Sequence, residues 1–267
     1  MLKSFLLLII FNIYLIADIS TGIILDVKDN SAFAKINNIQ VGVSGFIVRE
    51  FSSEHSSIIA NALVKVYDAN THEAEVAFSE YDGLRQNSLP SGKWQVQKGD
   101  KIVLAFGYSR AILIAPTEEI FDFITSRIKA VTWMHPDEFA TFLSYRGHPT
   151  PLKEDIADFC TLTSAGLAYI FTHKTLFTLD CQSFKLLQVT EAPLETTQDI
   201  ELPFHSRIHT IREAWWGDGS NPLESYDYYT ELMVEYNSDN EKLQAHIMSV
   251  EDENISKLMD LFETKEK

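Results

Sequence analysis

Ile58-Ile-Ala-Asn-Ala-Leu-Val-Lys-Val-Tyr67, Asp68-Ala-Asn70 and Glu73-Ala-Glu-Val-Ala-Phe78 follow one another and decide how this chain folds. The outer two are short β-forming runs, and the segment between them is a turn signal. Working outward, the same kind of run recurs at Ile23–Val27, Ala32–Ile36 and Gly45–Phe51, with Asp29-Asn30-Ser31 as another turn. Lys101–Phe106, fed by the turn Lys98-Gly99-Asp100, and Ala111–Ala115 close the set. Six or seven short strands at this spacing predict a small barrel or sandwich, and barrel closure would hide the sheet edges.

From Pro116 the pattern changes. Thr117 is a candidate cap for a helix carrying Ile120, Phe121, Ile124 and Ile128. Pro136 suits the first turn of a second helix, with Phe139, Phe142 and Leu143 on one face and Gly147 as its stop. Pro151 opens a third, with Leu152, Ile156 and Phe159, ending near Gly166. Strands are expected at Leu167–Thr172, Thr175–Leu179, Lys185–Val189 and near Phe204–Ile211. Asn221-Pro222 should begin a helix running to Glu235, and Glu241–Met248 another. Ile255, Leu258, Met259 and Phe262 form an apolar stripe that should dock on the core. The expected organisation is α+β: a signal peptide at 1–20, a β-barrel-like domain at 21–115, an α+β domain at 116–237 and an acidic helical tail at 238–267.

Lys3 followed by the apolar run Ser4–Ala17, broken only by Asn12, has the form of a secretory signal. The run is shorter than the roughly 18 to 20 apolar residues of a stable membrane-crossing helix. Cleavage is expected after Ala17 or Ser20, with an uncleaved anchor as the alternative. No cysteine follows the run to take a lipid, and no later segment is apolar enough to span a membrane. The function therefore lies beyond the cytoplasm.

The formal charge is -16. Residues 191–267 hold 18 Asp and Glu against 6 Lys and Arg, so most of the excess sits in the last third. Such a field repels nucleic-acid phosphates and anionic lipids, and nucleic-acid binding is excluded as a main function. It also attracts basic surfaces, although solubility alone accounts for it. The two cysteines, Cys160 and Cys181, are expected to pair in an oxidising compartment, closing a loop worth about 3 kcal/mol. The alternative is two buried small apolar side chains.

Catalytic patterns are missing. There is no His-Glu-x-x-His helix, no Gly-x-Ser-x-Gly elbow and no phosphate-cradling glycine loop. Gly42-Val-Ser-Gly45 has the wrong spacing and reads as a turn or bulge. His205 and His209 could begin a metal site, but no third ligand is evident. His135, His148 and His173 are isolated. Asp137-Glu138 and Glu154-Asp155 sit at helix starts, where the macrodipole favours them. Trp215-Trp216-Gly-Asp-Gly219, leading to Tyr226, Tyr228 and Tyr229, is either a binding surface for sugars, peptides or cations or the edge of a core. No enzyme and no cofactor is expected.

Seven segments taken in order carry a resemblance: Gly45-Phe-Ile-Val-Arg49, Glu54-His-Ser-Ser-Ile58, Arg85-Gln-Asn-Ser-Leu-Pro90, Leu104-Ala-Phe-Gly-Tyr-Ser-Arg110, Ser144-Tyr-Arg-Gly-His-Pro-Thr-Pro-Leu-Lys153, Leu179-Asp-Cys-Gln-Ser-Phe184 and Ala214-Trp-Trp-Gly217. Together they resemble the amino-terminal domain of the bacterial plasminogen-binding protein family, over roughly residues 20–235. The resemblance implies a surface protein of a Gram-negative bacterium, a role in host interaction and virulence, and capture of host plasminogen without catalysis. Plasminogen's kringle modules recognise lysine through acidic, basic and aromatic walls. A carboxyl-terminal lysine offers them an ammonium and a carboxylate, which makes Lys267 the first candidate, Lys265 its neighbour and Lys153, beside Glu154 and Asp155, an internal mimic. Because the family's binding is tied to long charged carboxyl-terminal regions and little sequence follows the recognised stretch here, a second expectation stands beside the first. It is a periplasmic binding or assembly module of the cell envelope with no plasminogen role.

Overall fold

In the computed structural model, which describes residues 19–81, 83, 94–250, 258 and 262, the β-forming runs become strands with little change of boundary. They are β1 (Ser20–Lys28), β2 (Ser31–Lys35), β3 (Ser44–Glu50), β4 (Ser56–Asp68), β5 (Glu73–Glu80) and β6 (Lys101–Leu104). These six close into an antiparallel barrel in the order β1-β2-β5-β4-β3-β6, with β6 returning to β1. Register shifts at Ile24/Asp26, Ile47/Val48 and Val64/Val66 mark bulges, which bend strands sharply enough to close so small a ring. The buried set includes Ala32, Ala34, Ala60, Ala62 and Ala74 with Ile24, Ile47, Val64, Val76, Ile102 and Leu104. Small side chains are what a narrow barrel can hold, and they fill its interior. A partner of the barrel would therefore meet its outside.

The run Ala111–Ala115, read from sequence with the barrel set, does not join it. As β7 (Arg110–Ile114) it enters a second sheet with β8 (Thr132–Trp133), β9 (Leu167–Thr172), β10 (Thr175–Asp180) and β11 (Leu186–Glu191). The order is β11-β10-β9-β7-β8, with β7 parallel to both of its neighbours. Every residue of β9 and β10 is buried, so the sheet is covered on both faces. One face, with Ile112, Ile114, Ala168, Ile170, Phe177 and Leu179, packs against helices. The other, with Ala111, Leu113, Leu167, Tyr169, Phe171 and Leu176, shares a continuous core with the barrel. The architecture is α+β, and the second sheet is the wall common to both cores.

The helices are α1 (Glu118–Arg127), α2 (Pro136–Arg146), α3 (Lys153–Thr163), α4 (Tyr228–Tyr236) and α5 (Glu241–Ser249). Thr117 caps α1 by accepting from the Ile120 N–H at 3.4 Å. His135 and Glu138 cap α2 reciprocally, and Gly147 ends it in the left-handed region at φ +77°. Ile120 and Ile124 of α1 face the barrel-side core. Phe139, Leu143, Ile156, Phe159, Met233, Leu243 and Ile247, from the other four helices, fill the opposite one. Leu258 and Phe262 of the expected apolar stripe are buried in that same core; Ile255 and Met259 lie outside the described residues.

Two further elements differ from expectation. Residues 204–211 form no strand: Phe204 and Ile211 are buried, but the backbone is satisfied piecemeal. His205 N–H reaches the Ala115 carbonyl at 2.8 Å, and Arg207 N–H reaches Asp137 at 2.9 Å. The helix expected from Asn221-Pro222 begins only at Tyr228. The Asn221 carbonyl is taken by the Thr150 hydroxyl at 2.7 Å, and the chain first turns to bury Tyr226.

Barrel and sheet are joined by a polar knot at Asp180, which is fully buried. Its Oδ2 accepts from the Ser44 N–H (2.9 Å), the Ser44 hydroxyl (2.8 Å) and the Tyr108 hydroxyl (2.7 Å). Its Oδ1 accepts from the N–H groups of Gln182 (3.1 Å) and Ser183 (2.8 Å). Burial, and then the adjacent carboxylate, push the Tyr108 phenol well above its ordinary value, so it remains a donor. Gly107 and Gly166 meet beside this knot, where the Gly166 N–H donates to the Gly107 carbonyl at 2.9 Å. A Cβ on Gly166 would lie 2.6 Å from the Gly107 backbone, so this contact requires glycine.

Candidate binding surface

The surface begins where α2 stops. Gly147 turns the chain into His148-Pro-Thr-Pro-Leu152, which enters α3. Asp155, in the first turn of α3, points inward and is fully buried. It accepts from the Leu152 N–H at 2.9 Å, from His148 Nδ1 at 2.9 Å and from Arg146 at 3.3 Å. Arg146 also pairs with Asp158. The loop is thus tied to the helix it precedes by one carboxylate, as a buried charge requires.

A second strip, residues 212–221, lies along the first. Arg212 N–H donates to the Ser144 hydroxyl at 3.1 Å, and Ala214 N–H to the Gly147 carbonyl at 2.8 Å. Thr150 N–H donates to the Gly219 carbonyl at 3.1 Å, and its hydroxyl holds Asn221. Both stems of the loop 214–219 are therefore fixed, and Trp215-Trp216-Gly217-Asp218 forms its tip. Trp215 is 86% exposed and Trp216 61%, while Tyr145, on the adjoining turn of α2, is 92% exposed. Gly217 takes φ +101° with open space where a Cβ would stand.

The aromatic segment thus divides between the two readings given to it. Tyr226 and Tyr229 are core, and the Tyr229 hydroxyl donates to the Pro203 carbonyl at 2.8 Å. Tyr228 is tied to the 148–152 strip, donating to the Pro151 carbonyl at 2.8 Å, and burial pushes its phenol up. The two tryptophans face solvent.

Lys153 is the first residue of α3. Its Nζ lies 4.0 Å from Glu154 Oε1 and 5.1 Å above the Tyr236 ring, and its side chain is 25% exposed. Asp155, facing inward, is not available to pair with it at the surface. Lys265 and Lys267 lie outside the described residues. Cys160 of α3 and Cys181, just after β10, form a disulfide with both residues fully buried. His205 pairs with Glu201 at 2.9 Å, and among the described residues no group of His, Cys, Asp and Glu is placed to hold a metal. No described helix is long and apolar enough to cross a membrane.

Over residues 19–233, from the start of β1 into α4, the chain matches the family described as plasminogen-binding protein pgbA N-terminal. It belongs to that family. The match takes in the barrel, the shared sheet, the Asp180 knot and the tryptophan tip. Among curated relatives, the plasminogen-binding protein PgbA of Helicobacter pylori strain ATCC 700392 / 26695 is 28% identical over 200 residues, covering 74% of this chain and 43% of the relative. PgbA of strain J99 / ATCC 700824 matches with the same figures. The chain thus spans less than half the length of the curated relatives it matches. No solved structure matches it.

The sequence missed the Asp180 knot and the clamp between Thr150 and Gly219. Each joins residues far apart in the chain, and no local pattern signals such a pairing. Their residues do lie in or beside segments quoted for the resemblance: Tyr108, Thr150 and Asp180 within them, and Ser44 just before Gly45-Phe-Ile-Val-Arg49.

Proposed function

We propose that this protein is an exported, non-enzymatic binding protein of the cell envelope that captures host plasminogen, with kringle modules engaging its lysines. The observation that carries this reading is membership, across residues 19–233, of a family whose relatives are named as plasminogen-binding proteins. Export is supported by the cation and apolar run at residues 3–17 and by a buried disulfide, a bond that persists in oxidising compartments. Lys267 is the leading bait, with Lys265 beside it. Lys153 is the internal alternative and would have to leave the Tyr236 ring to be bound.

Immobilised plasminogen and the purified chain test this directly. Binding should be abolished by a free lysine analogue and sharply reduced by carboxypeptidase B. Binding that survives both treatments refutes the lysine mechanism, and no binding at all refutes the plasminogen reading. The second reading, an envelope assembly module, is favoured by one fact: more than half of each curated relative lies outside the match. Protease treatment of intact cells separates the two, because a chain shielded from external protease cannot meet plasminogen.

A further inference from the structure

The tip Trp215–Asp218 is unexplained by the fold. A tryptophan carries about 150–250 Å² of surface that folding ordinarily removes from water. Here two stand largely exposed side by side. Ser144 and Gly147, which flank Tyr145 and Arg146, are bonded to Arg212 and Ala214, so Tyr145 and Trp215 emerge from adjoining strips. Contiguous exposed aromatics on this scale mark a contact surface. Fixed stems matter as much as exposure, because a tip held at both ends loses little freedom when it binds.

The charges around the tip identify the occupant. Glu213 and Asp218 flank the tryptophan pair on either side, and both are exposed. Arg146, the nearby cation of α2, already meets Asp155 and Asp158, and the exposed Arg212 beside Glu213 leaves residues 212–218 with one negative charge in excess. Indole faces attract ammonium and guanidinium groups, and flanking carboxylates add charge-assisted bonds. The net charge of -16 draws cationic partners and repels phosphate-bearing ones. We infer that the Trp215–Asp218 tip is a docking surface for a basic polypeptide segment whose lysine or arginine side chains lie against the indoles. The polarity is opposite to that of the proposed lysine bait. There the chain offers the cation, and here it receives one.

The test titrates an octalysine peptide into the full chain while following tryptophan fluorescence, at low and at physiological salt. Trp215→Ala/Trp216→Ala should weaken binding about tenfold or more at an unchanged melting temperature. Glu213→Gln/Asp218→Asn should weaken it about three- to tenfold and flatten its salt dependence. This second variant keeps the aromatics and carries the test if the first fails to fold. Octalysine affinity unchanged in the charge variant, or in a folded tryptophan variant, overturns the inference. So does tighter binding of neutral liposomes or of a chitooligosaccharide than of the peptide. Parallel plasminogen binding separates the two ideas. Plasminogen lost to a lysine analogue, together with octalysine indifferent to the tip, leaves the proposed function standing and removes this one. Octalysine dependent on the tip, together with no plasminogen binding, does the reverse.

Discussion

Replacing Asp180 by Asn is the sharpest probe of how the two cores are joined. The carboxylate accepts five hydrogen bonds and is fully buried. An amide of the same shape has one oxygen and one NH2. If that oxygen serves Ser44 and Tyr108, the NH2 faces the N–H groups of Gln182 and Ser183, two donors that cannot turn away. If the amide flips, the two hydroxyls can rotate to accept, but the Ser44 N–H is left unpaired. The amide takes the orientation that strands fewer donors, and one orphaned donor costs about 1–3 kcal/mol, so the variant should lose about 1–3 kcal/mol. Tyr108→Phe leaves the carboxylate four donors and should cost only about 1–2 kcal/mol. Urea unfolding followed by far-ultraviolet circular dichroism and by tryptophan emission measures both. Because barrel and sheet share a core, the two signals should move together to a lower midpoint. An Asp180→Asn variant within about 0.5 kcal/mol of the wild type would refute the claim that these bonds hold barrel and sheet together.

Three further outcomes follow from the same structure. The Cys160–Cys181 bridge spans a sequence separation of 21, so the double alanine variant, or reduction under denaturant, should lower stability by about 3 kcal/mol; an unchanged urea midpoint with and without reductant would contradict this. Gly147→Ala puts a Cβ at φ +77° and 2.7 Å from Ala214, so it should cost about 1–2 kcal/mol and loosen the 214–219 loop, seen as faster amide exchange at Ala214. His246, packed edge-on to Phe177 at 5.2 Å, is held below its ordinary value of 6.5 by burial and then by His173. The unfolded chain then binds this proton more readily than the folded one, so stability should fall as pH drops below about 6.5. His246→Gln should flatten that loss between about pH 7 and 5.5 in urea midpoints, and an identical slope would contradict the assignment.

The strands were legible because β-forming runs and turn residues are local signals, and β1 to β6 fall where those runs do. The allocation of β7 was not legible. Its residues look like one more barrel strand, and only its pairing with β9, Ala111 opposite Leu167, removes it to the other sheet. Helix starts marked by Thr117 and Pro136 were readable from caps. The start of α4 was not, because a distant hydroxyl, that of Thr150, takes the carbonyl that an earlier helix would use. At the surface, the tryptophans were visible as residues but their exposure was not. Tyr226 and Tyr229 have similar composition and neighbours, yet they are buried. The cysteine pair was legible from the count of two, since no third cysteine competes.

The disulfide has a mechanical consequence. A tether gripping the tryptophan tip would pull on Gly219 and Thr150, and through them on the first turn of α3. From there the tension reaches Cys160 and crosses to Cys181 through a covalent bond rather than a packed surface. The next residue back is Asp180, whose bonds to Ser44 and Tyr108 pass the strain on to the barrel. A pull on the tip with the barrel held would load this line end to end, with its strongest link between helix and sheet.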